Sequence, residues 1–190
     1  MPPTSRDRLL DAAVDLLQRQ GYHGTGLNEL LERSGAPRGS LYHYFPGGKE
    51  EIGAEAIARA GDQVAAAVAH LMRAKPTAAD AVQALAGLLA AGLEASDFER
   101  GCPVATTALE VTPRSEPIRA AVQASFESWL APLRERLQDT GFGRVEAGRR
   151  ADLTIAALEG ALVLARARQN ADVLREAGRQ LRPFLQPPED

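Results

Sequence analysis

Three features of this 190-residue chain predict an all-α fold. Apolar residues recur at spacings of three and four along most of its length, the pattern of helices that bury one face. Aromatic residues make up only 5% of the chain while Ala and Leu abound, and the period-two alternation of half-buried strands is missing. Gly and Pro interrupt the apolar runs at intervals that leave segments of ordinary helix length, about nine in all. With 45% apolar residues the chain is long enough to bury a substantial core.

Taken in order, the first helix is expected from about Ser5 to Gln20, with Leu9, Leu10, Ala13, Leu16 and Leu17 on one face and Gly21 as its stop. Thr25 is placed as the N-cap of a short second helix whose apolar face is Leu27, Leu30 and Leu31, closed by Ser34 and Gly35. A third opens at Pro37, whose fixed φ and missing N–H suit a first turn. Leu41 and Phe45, four apart, turn inward there and leave Arg38, Ser40, Tyr42 and His43 to face outward or sideways. A long fourth helix runs from Lys49 to Met72 through Ile52, Ala56, Ile57, Ala60, Val64, Ala67, Val68 and Leu71, ending before Pro76. Thr77 caps a fifth with Val82, Leu85, Leu88, Leu89 and Leu93 inward, and Pro103 opens a short sixth. The seventh starts near Ser115, carries Phe126, Trp129, Leu130, Leu133 and Leu137, and should kink at Pro132, where an internal hydrogen bond is lost. Gly141 and Gly143 precede an eighth helix through Leu153, Ile155, Leu158, Leu162 and Leu164. Asn170 precedes a ninth with Val173, Leu174, Leu181, Phe184 and Leu185, and the closing QPPED reads as a disordered tail.

Charge narrows the function classes. A net charge of −3 excludes a protein that coats nucleic acid without specificity, which needs a broad positive surface. A local reader is compatible with it. Residues 33–49, RSGAPRGSLYHYFPGGK, contain Arg33, Arg38 and Lys49 and no carboxylate, with Tyr42, His43 and Tyr44 as further donors. Phosphate contacts draw on these side-chain types and on free N–H groups at a helix start, so DNA binding is the leading expectation. Three helices in this order, the second and third joined by a few residues including Gly35, fit a helix-turn-helix whose third helix enters the major groove.

The run from Thr25 through Leu27, Gly35, Gly39, Leu41, Tyr42, Tyr44, Phe45 and Lys49 to Glu50 resembles the N-terminal domain of the tetracycline-repressor (TetR) family of transcriptional regulators. Gly-Cys-Pro-Val-Ala at 101–105 and Ala-Leu-Glu-Gly-Ala-Leu at 157–162 look similar to the branch that includes lincomycin-resistance-type and flavonoid-responsive repressors. Two departures stand out. Pro37 lies where the family has a Ser or Thr cap, and three residues separate Phe45 from Lys49 where two are usual. The resemblance implies a DNA-binding domain over residues 1–50 and a ligand-binding and dimerisation domain over 51–190. It assigns base-edge approach to Arg38, Gly39 and Ser40. Arg38 is the candidate guanine reader, because a guanidinium bonds O6 and N7 together. Phosphate contact falls to Tyr42, His43, Tyr44 and Lys49, with Thr25 from the second helix. The plainer alternatives are half-burial for Tyr42 and Tyr44 and a solvated surface role for His43.

The same resemblance implies a homodimer through the last two helices, about 144–185, where Ala156, Ala157, Gly160, Ala161, Ala165 and Ala167 offer a small-residue surface; packing within one chain is the alternative. It also implies a pocket for a small hydrophobic or aromatic inducer, with Met72, Leu89, Val104, Leu109, Phe126 and Trp129 as candidate lining and Thr106, Thr107 or Glu110 as polar groups. Repression, a cytoplasmic location and no cofactor are expected. No HExxH, CxxC, GxxxxGK or GxSxG motif is present, so no catalytic or metal site and no enzyme is expected. No run approaches the roughly 18 unbroken apolar residues of a membrane span, and no membrane partner is expected. Two rivals remain: a helical binding or scaffold protein without DNA affinity, and a redox sensor acting through Cys102 beside Pro103.

Overall fold

The computed structural model describes residues 3–111 and 113–187; residues 188–190, the end of the expected tail, lie outside it. Among the described residues there are nine helices and no strand: α1 (Ser5–Gly24), α2 (Leu27–Ser34), α3 (Arg38–Tyr44), α4 (Lys49–Ala74), α5 (Ala78–Ala95), α6 (Pro103–Val111), α7 (Glu116–Asp139), α8 (Arg144–Arg168) and α9 (Asp172–Phe184).

Contacts divide the chain into two compact units. The first holds residues 1–62 and 102–126, so α6 and the start of α7 join the first three helices; the second holds residues 63–101 and 127–190. In the first unit α2, α3 and α6 all lie against α1. Leu9, Leu16 and Leu17 of α1, Leu30, Leu41, Phe45, Ile52, Ile57 and Ile118 are buried there almost completely. The start of α1 is set by a capping box: Thr4 Oγ1 accepts the Asp7 N–H at 3.1 Å and Asp7 Oδ2 accepts the Thr4 N–H at 3.2 Å. The helix breaks at Gly21 (φ 73°, ψ −176°), as the sequence indicates, and one further turn follows before α2.

The second unit is built on α5, which α9 follows closely and α8 supports. Val68, Met72, Val82, Leu85, Ala86, Leu133, Leu137, Phe142, Leu158 and Leu181 form its core. By length and composition α5 could cross a membrane, but here its apolar residues supply that core. Thr77 caps α5 as expected, accepting the Asp80 N–H at 3.0 Å. One expectation fails. Leu88 is exposed, because it sits on the face of α5 away from α9 and the core. Pro132 lies inside α7, which continues through it as one helix.

Candidate nucleic-acid interface

The turn before α3 is made by Gly35 in the left-handed conformation (φ 60°), whose N–H bonds the Glu32 carbonyl. Pro37 then occupies the N-cap of α3 and gives it no side-chain cap, which leaves the first N–H groups of this helix open. Leu41 and Phe45 are fully buried and fix the inner face of α3. Everything else on this short helix turns outward. Arg38, Gly39, Tyr42, His43 and Tyr44 are exposed and Ser40 is half-exposed, with Tyr42 at 60%. A large aromatic held that far out of a core has its hydroxyl and ring edge free for a partner. The His43 and Tyr44 rings meet edge to face at 4.9 Å.

Three positively charged groups were expected here, and they differ in availability. Arg38 reaches along the surface, its guanidinium 3.3 Å from the Asn28 side-chain oxygen on α2. Arg33 is tied back to Asp15 of α1 at 2.7 Å, which it shares with Arg19. Lys49, half-buried at the start of α4, holds its ammonium 4.7 Å from the Tyr22 ring centre and 3.4 Å from the His23 carbonyl. Burial pushes the Lys49 pKa below the ordinary lysine value, and the negative charge of Glu110 acts against that shift.

Thr25 is corrected as the cap of α2. Gly26, not Thr25, is the N-cap of α2, and Thr25 is only 5% exposed. Its hydroxyl donates to the Gly21 carbonyl at 2.7 Å, satisfying a group that the helix break leaves without its usual partner. It therefore closes the corner after α1, with its hydroxyl proton engaged inside the chain.

Three residues of this unit have roles beside the reading helix that no sequence pattern indicates. Asn28 steadies Arg38. Tyr22 carries Lys49 on its ring and fits against Gly53 of α4, where a Cβ would stand 2.7 Å from the ring. Glu110 of α6 accepts the N–H groups of Tyr22 at 2.6 Å and His23 at 3.1 Å. Asn28 and Tyr22 are ordinary surface types with no motif around them, and Glu110 lies too far along the chain for any local pattern to connect it.

The candidate ligand residues divide between the two units. Val104 is fully buried, Phe126 is half-buried and Leu109 is 88% exposed in the first; Met72 and Trp129 are buried and Leu89 half-buried in the second. Leu109 is thereby corrected, because it points into solvent from the outer face of α6. One carboxylate oxygen of Glu110 is engaged by backbone N–H groups. The Thr107 hydroxyl is buried without a hydrogen-bond partner. An open groove of about 690 Å³ in the second unit is lined by Arg134, Gln138, Arg144, Arg149 and Asp152 among others, and is too charged to be the expected apolar cavity.

On α8 the small-residue surface separates into two faces. Ala161 and Ala165 are buried within the chain and Ala157 is half-buried, whereas Ala156, Gly160 and Ala167 are exposed beside Leu153, Val163 and Leu164.

Comparison with known proteins agrees with this geometry. Residues 9–56 match the model of bacterial regulatory proteins of the tetR family, and residues 78–180 match that of the LmrA/YxaF-like transcriptional regulator C-terminal domain. The chain is 35% identical over 170 residues to the HTH-type transcriptional regulator LmrA of Bacillus subtilis, covering 90% of each. It is 37% identical over 160 residues to the regulator YxaF of the same organism, covering 84% of each. A TetR regulator from Legionella pneumophila shares the fold with a TM-score of 0.85 at 21% identity, over 97% of this chain and 99% of that one. The regulator CifR, solved with a 26-base-pair operator duplex, superposes with a TM-score of 0.77 at 28% identity, over 92% and 94%. An exposed helix-turn-helix, matching family models at both ends and relatives aligned over nearly their whole length lead to one conclusion: the chain belongs to the TetR family of DNA-binding transcriptional regulators and is not an enzyme.

Proposed function

We propose that this protein is a cytoplasmic repressor that binds a palindromic operator as a homodimer and is released by a small, largely hydrophobic inducer. The observation that carries the reading is the outer face of α3. Arg38, Gly39, Ser40, Tyr42, His43 and Tyr44 stand together on a helix anchored from behind by Leu41 and Phe45, with no acidic residue on it. Arg38 reads a guanine edge, and Tyr42, His43, Tyr44 and Lys49 hold phosphates. The dimer rests on α8, where Leu153, Ala156, Gly160, Val163, Leu164 and Ala167 make a continuous exposed apolar stripe; a second copy covers it. α9 carries no large exposed apolar side chain among its described residues, so α8 supplies most of the apolar contact. CifR, held on operator DNA, gives the precedent for the DNA partner.

The inducer reading draws on the buried Thr107 hydroxyl, an unmet polar group that a mostly apolar ligand with one acceptor would satisfy. Release follows if the ligand binds better to a form in which the two reading heads no longer match the half-site spacing. A mobility-shift titration on the upstream region of the protein's own gene tests the whole. Arg38→Ala should abolish binding to one operator. Lys49→Gln should weaken binding to all sequences and flatten the salt dependence by about one unit. Equal, sequence-independent losses in both variants would overturn the division between reading and positioning.

A further inference from the structure

α1 does not end where its hydrogen-bond ladder ends. Gly21 takes the chain out of helical geometry and Tyr22–Gly24 resume it for a single turn, so the N–H groups at the restart have no partner four residues back. Two of them are met from another helix. One carboxylate oxygen of Glu110, on α6, accepts the Tyr22 N–H at 2.6 Å and the His23 N–H at 3.1 Å. A negative group at a helical start is favoured by the local dipoles as well as by the bonds themselves. Gly21 leaves room for it, since a Cβ there would collide with Glu110 Oε1.

The turn so held organises the groups beside the reading helix. Thr25 closes onto Gly21, its backbone N–H bonds the Tyr22 carbonyl at 3.2 Å, and α2 departs from Gly26. The Tyr22 ring rests against Gly53 and under the Lys49 ammonium, which also reaches the His23 carbonyl. A carboxylate 88 residues away in sequence thus fixes the corner from which the helix-turn-helix starts and the position of its flanking lysine.

We propose that Glu110 is a positioning residue for DNA recognition: by capping the broken end of α1 it sets the placement of α2 and Lys49, so the reading head reaches operator affinity only with α6 in contact. This inference rests on the DNA-reading function proposed above, and the position of α6 becomes something the reading head senses directly.

The experiment uses the full-length protein and a labelled duplex selected by the wild type from a random-sequence pool, with amide hydrogen exchange at Tyr22 and His23 as a readout independent of DNA. Glu110→Ala should weaken binding to the duplex about tenfold and raise exchange at both amides, as loss of two bonds to a charged acceptor implies. Glu110→Gln, whose amide oxygen still accepts a hydrogen bond, should recover most of the affinity and part of the protection. Unchanged exchange in Glu110→Ala overturns the capping role. Raised exchange with unchanged DNA binding overturns the positioning role. Equal losses in the Ala and Gln variants, tracking a lowered melting temperature, show a merely structural residue and overturn it too. A wild type that selects no duplex removes the DNA-reading function and this inference with it, whereas the other three outcomes leave that function standing.

Discussion

Gly21 meets two constraints at once, a positive φ that L side chains rarely adopt and a carboxylate against the space a Cβ would fill. Gly21→Ala should lower stability by about 2 kcal/mol or more, read by urea denaturation, because neither constraint can relax without moving the other. Thr25 shows how a residue type can be right and its role different. Its small hydroxyl suits either a phosphate or a carbonyl, and the carbonyl of Gly21 has it. Thr25→Val keeps the shape and strands that carbonyl, so it should destabilise the fold by about 1 to 3 kcal/mol while leaving operator affinity per folded molecule unchanged. A loss of affinity at unchanged melting temperature would return Thr25 to the DNA surface.

The helices of this chain are held at their starts and along their seams. Asp7 and Asp80 sit in the first turns of α1 and α5, where hydrogen bonds from Thr4 and Thr77 lower their pKa values, with smaller help from Arg59 and Arg182. Glu94, near the end of α5, is lowered by its bond from Arg175 of α9. A carboxylate whose pKa falls on folding stabilises the native state above its unfolded value, and that stabilisation is lost as pH drops through the folded value. Asp7 and Asp80 are half-exposed and Glu94 is exposed, so each effect is small. The melting temperature should be level from about pH 7 to 5 and fall below about pH 4, and Asp7→Asn with Asp80→Asn should remove part of that slope. Along the seam between α5 and α9, Gly178 lets the backbones close, and a Cβ there would lie 2.7 Å from that of Ala86. Gly178→Ala should cost about 1 to 3 kcal/mol by overpacking despite its better helix propensity, a sign that thermal denaturation would read directly.

For the whole molecule, the exposed stripe of α8 is the feature on which the proposed dimer rests. Apolar residues lie on both sides of this helix: Ala161, Ala165 and Leu158 face the chain's own core, and Leu153, Val163 and Leu164 face away. A helix with apolar residues on both sides is normally covered on both. Leu164→Glu should convert the protein to a monomer in sedimentation equilibrium with little change in helix content. Operator affinity should fall steeply, because one head meets half the phosphates that two do. A variant that stays dimeric would move the interface off this face.

Local pattern and tertiary structure each decided a distinct part of this protein. Spacing of Leu and Ala, with Gly and Pro as punctuation, was sufficient for the helix order, for the break at Gly21 and for the inward Leu41 and Phe45 of α3, because backbone geometry and periodic burial act over a few residues. The outward face of α3 followed from the same periodicity. Folding alone brought Glu110 onto Tyr22 and His23, tied Arg33 to Asp15, buried the Thr25 hydroxyl and turned Leu109 and Leu88 outward. Each of these depends on which helix lies beside which, and a helix has several apolar or polar positions that any neighbour might cover. Periodicity says that a face is buried; only packing says against what, and the partners that set charge, hydrogen bonding and exposure at this site come from distant parts of the chain.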